Sequence, residues 1–307
     1  MLTEDNKSAS LWRTLEAYND RRMLRILLLG AISGFPWVLI GSALTLWLKE
    51  DGLSRSAIGW AGLIFSIYAI NFLWAPLIDR IHIPRLSKRI GQRKAWIICF
   101  QLVILLALMG WAFLQPSDNL WLVIAIGLGI ATASASQDIT IDALRIEQIA
   151  PNEKSAMAAG AAMHVVGWWS GYKIGGIIAL FLANHLQNSG FGNYWQLTFI
   201  GLGALVVLSN IGLLFIPELS AKERLQKQKE AEASFVGNFA DNSAFSRLIG
   251  FLGSTVFGPL ISFFKKNGYA IGLGILCFVL LFKIGEAFMG KMSLVFYAEL
   301  GFSKSDI

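Results

Sequence analysis

Seven stretches of this chain are apolar for long enough to predict helices that cross a hydrocarbon layer: about 23–47, 58–78, 94–114, 119–145, 156–183, 195–216 and 269–298. A layer about 30 Å thick takes roughly 20 residues of helix at about 1.5 Å each. None alternates strictly between apolar and polar positions, so the pattern selects helices over the strands of a barrel. Met1 to Arg22 is a polar tail and no secretory signal, which leaves the first span as its own insertion signal. Residues 219–232 read as a mixed-charge helical or flexible linker. The stretch Phe245–Phe264 resembles an eighth span, yet it contains Gly250, Gly253, Gly258 and Pro259 and runs into Lys265-Lys266. Counting it as a span would invert the seventh, so it is expected to lie along the membrane surface as an amphipathic helix. The chain thus divides into a tail (1–22), a six-span bundle (23–216), a linker with an interfacial helix (217–268) and a further span (269–307).

Composition agrees with that division. The chain is 55% hydrophobic and 15% charged, where soluble domains carry about 25% charge. The formal charge of +6 would suit a nucleic-acid partner if it were spread over one face. Instead the basic residues gather in particular loops. Arg80, Arg85, Lys88, Arg89, Arg93 and Lys94 crowd the 78–94 connection, and Arg21, Arg22 and Arg25 close the tail. The 48–57 loop has only Lys49 and Arg55, and the 115–118 and 184–194 loops have neither lysine nor arginine. The asymmetry assigns the charge to topology, with the N-terminus and the 78–94 loop in the cytoplasm. Cys99 and Cys277 each lie in an apolar run without metal-ligand spacing, so both read as small buried side chains.

One internal repeat stands out. Gly41, Glu50, Gly52, Ser54, Ser56 and Ile58 return as Gly290, Glu299, Gly301, Ser303, Ser305 and Ile307, at a constant offset of 249. Leu53-Ser-Arg-Ser-Ala-Ile58 also matches Phe302-Ser-Lys-Ser-Asp-Ile307 in kind. The seventh span therefore repeats the first in the same orientation, the arrangement of transporters built from two parallel six-helix halves. On that reading the chain ends at the start of a second, truncated bundle.

Charges inside the spans carry the candidate chemistry, because a carboxylate at mid-membrane costs roughly 2.5–3.5 kcal/mol and normally faces a partner or a water-filled cavity. Asp138 and Asp142 lie four apart and share a helix face, with Gln137 and Ser134 beside it. Two carboxylates one turn apart disfavour simultaneous ionisation, which suits Asp138 to proton coupling. Asp142 sits closer to the helix end, where a structural role competes. Lys173, mid-span among Gly171, Gly175 and Gly176, is too deep to snorkel and is expected to pair with an acidic group of the cavity or the substrate. Lys283 and Glu286 lie three apart, close enough to pair, and Glu286 is a second candidate proton carrier. His164 reads as packing or a hydrogen-bond donor, and Trp37, Trp47, Trp168 and Trp169 as anchors or packing, some of them available to stack on sugar rings.

Ser134-Ala-Ser-Gln-Asp138-Ile-Thr-Ile-Asp142-Ala resembles the fourth-helix signature of the muropeptide permease branch of the major facilitator superfamily, the AmpG-type transporters. Leu28-Leu-Gly-Ala-Ile-Ser-Gly-Phe-Pro36, Phe72-Leu-Trp-Ala-Pro-Leu-Ile-Asp79-Arg80, Gly91-Gln-Arg93-Lys94, Gly171-Tyr-Lys173-Ile-Gly175 and Phe282-Lys283-Ile-Gly-Glu286-Ala-Phe288 support it. The likeness runs from about residue 20 to the end, and it departs at position 286, Glu where the family pattern has Asp. It implies a six-helix bundle of major-facilitator type in a bacterial inner membrane. It further implies proton-driven symport of anhydro-muropeptides bearing N-acetylglucosamine, with lipid and protons as partners and no cofactor. Asp79-Arg80 and Gly91-Gln-Arg93-Lys94 resemble the superfamily's loop motif between the second and third helices. Asp79 is expected to latch onto Arg145 of the fourth. A related carrier of acetyl-coenzyme A, a peptide or a drug shares most of these motifs. The Asp138–Asp142 spacing also matches membrane prenyltransferases that hold magnesium diphosphate, but those need a second acidic cluster, and none appears within the spans. One half plus one helix is not expected to transport alone unless it dimerises, so a fragment without activity is a third alternative.

Overall fold

The computed structural model describes residues 17–150, 152–218, 263–265, 267–304 and 306. In chain order the helices are α1 (Arg21–Glu50), α2 (Arg55–Ile70), α3 (Ala75–Arg80), α4 (Leu86–Ile90), α5 (Gln92–Trp111), α6 (Pro116–Glu147), α7 (Lys154–Asn188), α8 (Tyr194–Leu214) and α9 (Tyr269–Glu299). Among the described residues there is no strand. Helices α1, α5, α6, α7 and α8 are each long and apolar enough to cross a membrane, so the chain is an all-α multi-pass membrane protein. The interfacial helix expected at Phe245–Phe264 lies outside the described residues apart from positions 263–264.

The second expected span is not the single helix 58–78. After Ala61 the chain tightens to a 3₁₀ turn over Gly62–Ser66, regains α geometry at Ile67–Ile70, and tightens again over Asn71–Leu73. Pro76 then falls in the first turn of α3, where its missing amide hydrogen breaks no helical bond. Apolar length predicts a crossing segment but does not register such interruptions. A milder irregularity lies in α1. Pro36 opens a new turn there, and the wider π turn Leu39–Ala43 follows before the helix resumes.

Two compact units are present, residues 1–219 with 293–307, and residues 220–292. In the first, α1 packs along α7, α5 along α6 and α8, and α7 along α8. Glycine makes the α1–α7 crossing close. A β-carbon at Gly30 would lie 2.3 Å from the His164 carbonyl oxygen and one at Gly34 2.0 Å from that of Trp168. From the other side, one at Gly167 would lie 2.1 Å from the Leu27 oxygen and one at Gly171 2.2 Å from that of Ala31. The two backbones therefore touch along paired small-xxx-small patterns, the device by which membrane helices gain van der Waals contact. Towards one end, Trp47, Trp111, Trp195 and Phe199 fill the core, with the Phe199 ring 4.9 Å from Trp47 and 5.0 Å from Trp111. Such ring pairs add about 0.5–1.5 kcal/mol beyond their buried area. Trp47 is thus packing, while Trp60 and Trp121 face outward. In the second unit the Phe264 ring stacks on Tyr269, and Gly272 leaves room for it.

The internal repeat reappears as a repeated turn. Helix α1 ends at Glu50 and α9 at Glu299. Gly52 and Gly301 follow at φ +81° and +87°, a left-handed conformation that favours glycine. The amide of Gly52 bonds to the Lys49 carbonyl and that of Leu53 to Leu48, while Gly301 bonds to Ala298 and Phe302 to Tyr297. Both sets form the same Schellman cap. The Ser54 hydroxyl then accepts from the Ala57 amide at 3.2 Å, and Ser303 accepts from Asp306 at 3.3 Å.

Candidate functional site

The signature stretch of α6 is where α1, α2 and α6 are tied together. Tyr68 donates its hydroxyl to Ser134 Oγ at 2.7 Å. Trp74 Nε1 donates to Ser136 Oγ at 2.9 Å, and Asn71 Nδ2 to the Ala135 carbonyl at 3.4 Å. From α1, the Ile32 carbonyl accepts from Gln137 Nε2 at 3.0 Å, and Ser33 Oγ donates to Asp138 Oδ1 at 2.6 Å. These bonds satisfy polar groups between neighbouring helices, while Gln137 Oε1 is buried without a partner among the described residues. Gln137 is fully buried, and its amide serves as a brace between α1 and α6.

Asp138 and Asp142 have different surroundings despite their shared face. Asp138 has a hydroxyl as its hydrogen-bond partner, and among the described residues no basic side chain pairs with it. Asp142 is 53% exposed, lies 3.1 Å from Arg145 and has His164 Nε2 at 3.7 Å. Arg145 pairs with Asp142, one turn back on its own helix; the expected Asp79–Arg145 latch turns on an Asp79 side chain that falls outside the described residues. Asp79 and Arg80 end α3, with side chains outside the described set.

At the bundle end that holds the 81–91 loop, the motif residues Gly91, Arg93 and Lys94 meet carboxylates that the sequence did not single out. Gly91 takes φ +100°, so α5 begins without a side-chain cap from its own chain neighbours. The Glu218 carboxylate fills that place, accepting the amides of Arg93 at 2.8 Å and Lys94 at 3.0 Å. A β-carbon at Gly91 would collide with this carboxylate. An anion over a helix N-terminus meets both the free amides and the positive end of the dipole. Beside it, Arg93 Nε lies 2.8 Å from Glu147 Oε1. At the starts of α1 and α7, Arg22 lies 2.6 Å from Asp20, the cap of its own helix, and 2.7 Å from Glu153, and the second pair ties the two helices.

An aromatic group stands across α1, α2 and α7. Trp37 lies 4.7 Å from Phe65, 4.8 Å from Tyr68 and 5.3 Å from Trp168. Trp168 continues to Tyr172 at 5.7 Å and Trp169 at 5.2 Å. The ammonium of Lys173, expected to pair with an acidic group of the cavity or the substrate, lies over the rings of Tyr172 at 5.5 Å and Trp169 at 5.9 Å and is exposed in this bundle. Trp37 Nε1 is buried without a partner among the described residues. Lys283 and Glu286 lie on α9, and their side chains fall outside the described residues. No group of three or more His, Cys, Asp or Glu able to hold a metal occurs among the described residues.

Comparison with known proteins matches residues 26–305 to the Major Facilitator Superfamily. The chain is 32% identical over 295 residues to "Putative transporter AmpG 4" of Rickettsia conorii, covering 96% of this chain and 64% of the relative. It is 30% identical over 290 residues to the protein of the same name in Rickettsia felis, 94% of this chain and 63% of the relative. Against "Anhydromuropeptide permease" of Escherichia coli K12 the identity is 28% over 294 residues, 95% of this chain and 52% of the relative. The chain thus spans between half and two thirds of the length of these relatives.

Proposed function

The chain belongs to the Major Facilitator Superfamily, and on that premise we propose that it serves proton-coupled import of anhydromuropeptides. The site of action is the inner membrane of a bacterial cell, with the N-terminus and the 78–94 loop in the cytoplasm. Superfamily membership makes it a transporter and not an enzyme. The substrate is proposed from the relatives named permease and AmpG, and the energy source from the site.

The observation that carries the reading is Asp138. It is a carboxylate between two spanning helices, held by the Ser33 hydroxyl at 2.6 Å and by no cation among the described residues. A charge so placed is suited to exchanging with a proton, because the hydroxyl can donate to the ionised oxygen or turn away from the protonated one. Asp142, already matched by Arg145, is suited to holding the helix end. Lys173 offers an exposed ammonium on an aromatic shelf, the combination that would take a peptide carboxylate beside the apolar face of a sugar ring. Glu286 of α9 is a second proton-carrying candidate, with Lys283 its companion one turn back.

The test is uptake of labelled anhydromuropeptide into right-side-out vesicles, with the protein expressed from its own reading frame. Uptake should collapse with the proton gradient and fall at least tenfold in Asp138→Asn, the order of effect for loss of a group that handles a proton. Gradient-driven uptake that survives Asp138→Asn would refute the role, and no uptake by the parent protein would refute the substrate.

A further inference from the structure

Asp138 and the aromatic rings of α1 and α2 belong to one closed circuit of contacts. On α1, Ser33 donates to Asp138 Oδ1 at 2.6 Å, and Trp37 follows one turn later on the same face. On α6, Ser134 stands one turn before Asp138, again on the same face. Tyr68 of α2 closes the gap. Its ring centre lies 4.8 Å from that of Trp37, and its hydroxyl donates to Ser134 Oγ at 2.7 Å. Four residues of helix rise about 6 Å, so the acid sits a single turn from the rings.

Two observations make Tyr68 more than a tie between helices. First, the charge on Asp138 is felt at the Tyr68 hydroxyl. Among the described residues, the other ionisable group that acts on Asp138 is Asp142 of the same helix, and Asp142 has Arg145 and His164 beside it. Tyr68 thus both touches the rings and faces the acid. Second, the rings hold an unpaired donor, since Trp37 Nε1 is buried without a partner among the described residues. Leaving a buried donor unpaired is costly, and a hydroxyl or acetamido oxygen of a sugar stacked beside it would remove that cost. Phe65, 4.7 Å from Trp37, adds a further ring but no hydroxyl, so it can take part in stacking and not in the link.

We propose that Tyr68 is the positioning residue that couples substrate to proton: a sugar ring stacked beside Trp37 presses on Tyr68, shifts its hydroxyl against Ser134, and so changes how readily Asp138 takes up a proton. The proposal rests on the transport reading above and names the side chain through which sugar binding and proton binding meet. Linkage is reciprocal, so a sugar that favours the proton on Asp138 is itself held more tightly once Asp138 is protonated.

The experiment separates exchange from accumulation in right-side-out vesicles, with the protein expressed from its own reading frame. Exchange of labelled for unlabelled anhydromuropeptide moves no net proton, whereas accumulation driven by the proton gradient needs the coupled one. Tyr68→Phe keeps the ring and loses the hydroxyl. It should leave exchange within about twofold of the parent and lower the accumulation ratio about fivefold or more, the lower end of the range for coupled sites. Ser134→Ala, which removes the acceptor of that hydroxyl, should do the same. Trp37→Phe keeps a ring and loses the N–H, so it should raise the half-saturating concentration for exchange about fivefold and keep the accumulation ratio at saturating substrate. The link is refuted if Tyr68→Phe accumulates as the parent does. It is refuted equally if exchange and accumulation fall together, the result for a residue that only holds α2 to α6. A parent that neither exchanges nor accumulates the muropeptide would remove the substrate reading and the link together, whereas a link that fails alone leaves the parent's uptake intact.

Discussion

Replacing Gly34 by alanine asks how much of the first bundle depends on α1 and α7 touching backbone to backbone. The added methyl would stand 2.0 Å from the Trp168 carbonyl oxygen and 2.8 Å from its carbon. Carbon–oxygen contacts are comfortable only from about 3.3 Å, so the helices would have to part by more than an ångström. Gly30, Gly167 and Gly171, which hold the same crossing, would lose their close contacts with it. Overpacking of this kind costs roughly 1–3 kcal/mol. Alanine returns roughly 0.5–1 kcal/mol through its better helix propensity, leaving a net loss of roughly 1–2 kcal/mol. Gly176 supplies the contrast on α7, the other helix of the crossing. A β-carbon there meets nothing within 4 Å, so Gly176→Ala should show the propensity gain alone. Thermal unfolding in detergent, followed by circular dichroism, should lower Tm by about 2–8 °C for Gly34→Ala and raise it by about 1–4 °C for Gly176→Ala. Equal shifts, or a stabilised Gly34→Ala, would show that the crossing has slack and would overturn the argument.

Two further outcomes follow from the polar ties. Glu218→Ala should strip the cap from α5, destabilise the chain by about 1 kcal/mol and speed exchange of the Arg93 and Lys94 amide hydrogens, read by mass spectrometry; unchanged exchange would mean that the carboxylate adds nothing. At the chain starts, the Arg22 backbone amide holds Asp20 below the usual aspartate range, and the Arg22 side chain holds Glu153 below the usual glutamate range. A carboxylate depressed in the folded state stabilises above its ordinary value and loses that contribution as pH falls through the folded one. Stability should therefore drop as pH falls from about 5 to about 3, and Arg22→Gln should flatten that slope; an unaltered slope in the variant would place the dependence elsewhere.

Hydrocarbon length made most helices legible in the sequence, because a span must be apolar whatever it packs against. The breaks around Ile70 and Trp74 were not, since changes of backbone hydrogen-bond pattern within an apolar run leave its hydrophobic length unaltered. Asp138 was legible because a charge in an apolar run is expensive. Its partner was not, because Ser33 is one hydroxyl among several that helices tolerate. The pairing of Arg145 with Asp142, three residues back, was within reach of helix spacing alone. Lys173 was legible as a charge within a span, but its place over the Tyr172 and Trp169 rings depends on side-chain directions that spacing does not set. Glu218 follows the last apolar turn of α8, where nothing marks it as the cap of a helix that begins more than a hundred residues earlier. The four glycines of the α1–α7 crossing were readable as two Gly-xxx-Gly pairs, but only folding shows that the pairs meet.

The duplicated turns at the ends of α1 and α9 also bear on how such a chain could arise. Each supplies an acid to a base of the other, Glu50 lying 2.9 Å from Lys304 and Glu299 2.6 Å from Arg55. A patch that binds its own copy needs one stretch of sequence, so the joint is already complete when that stretch is duplicated. Two copies of Glu, Gly, Ser and a basic residue at the same intervals make both ion pairs without any new invention. Inheritance afterwards is constrained in fours. Losing one charge strands a partner in the other copy, so compensating change is expected at position 304 for position 50, and at position 55 for position 299. The lysine in one copy and the arginine in the other show how far the two have drifted while keeping the sign on which the joint depends.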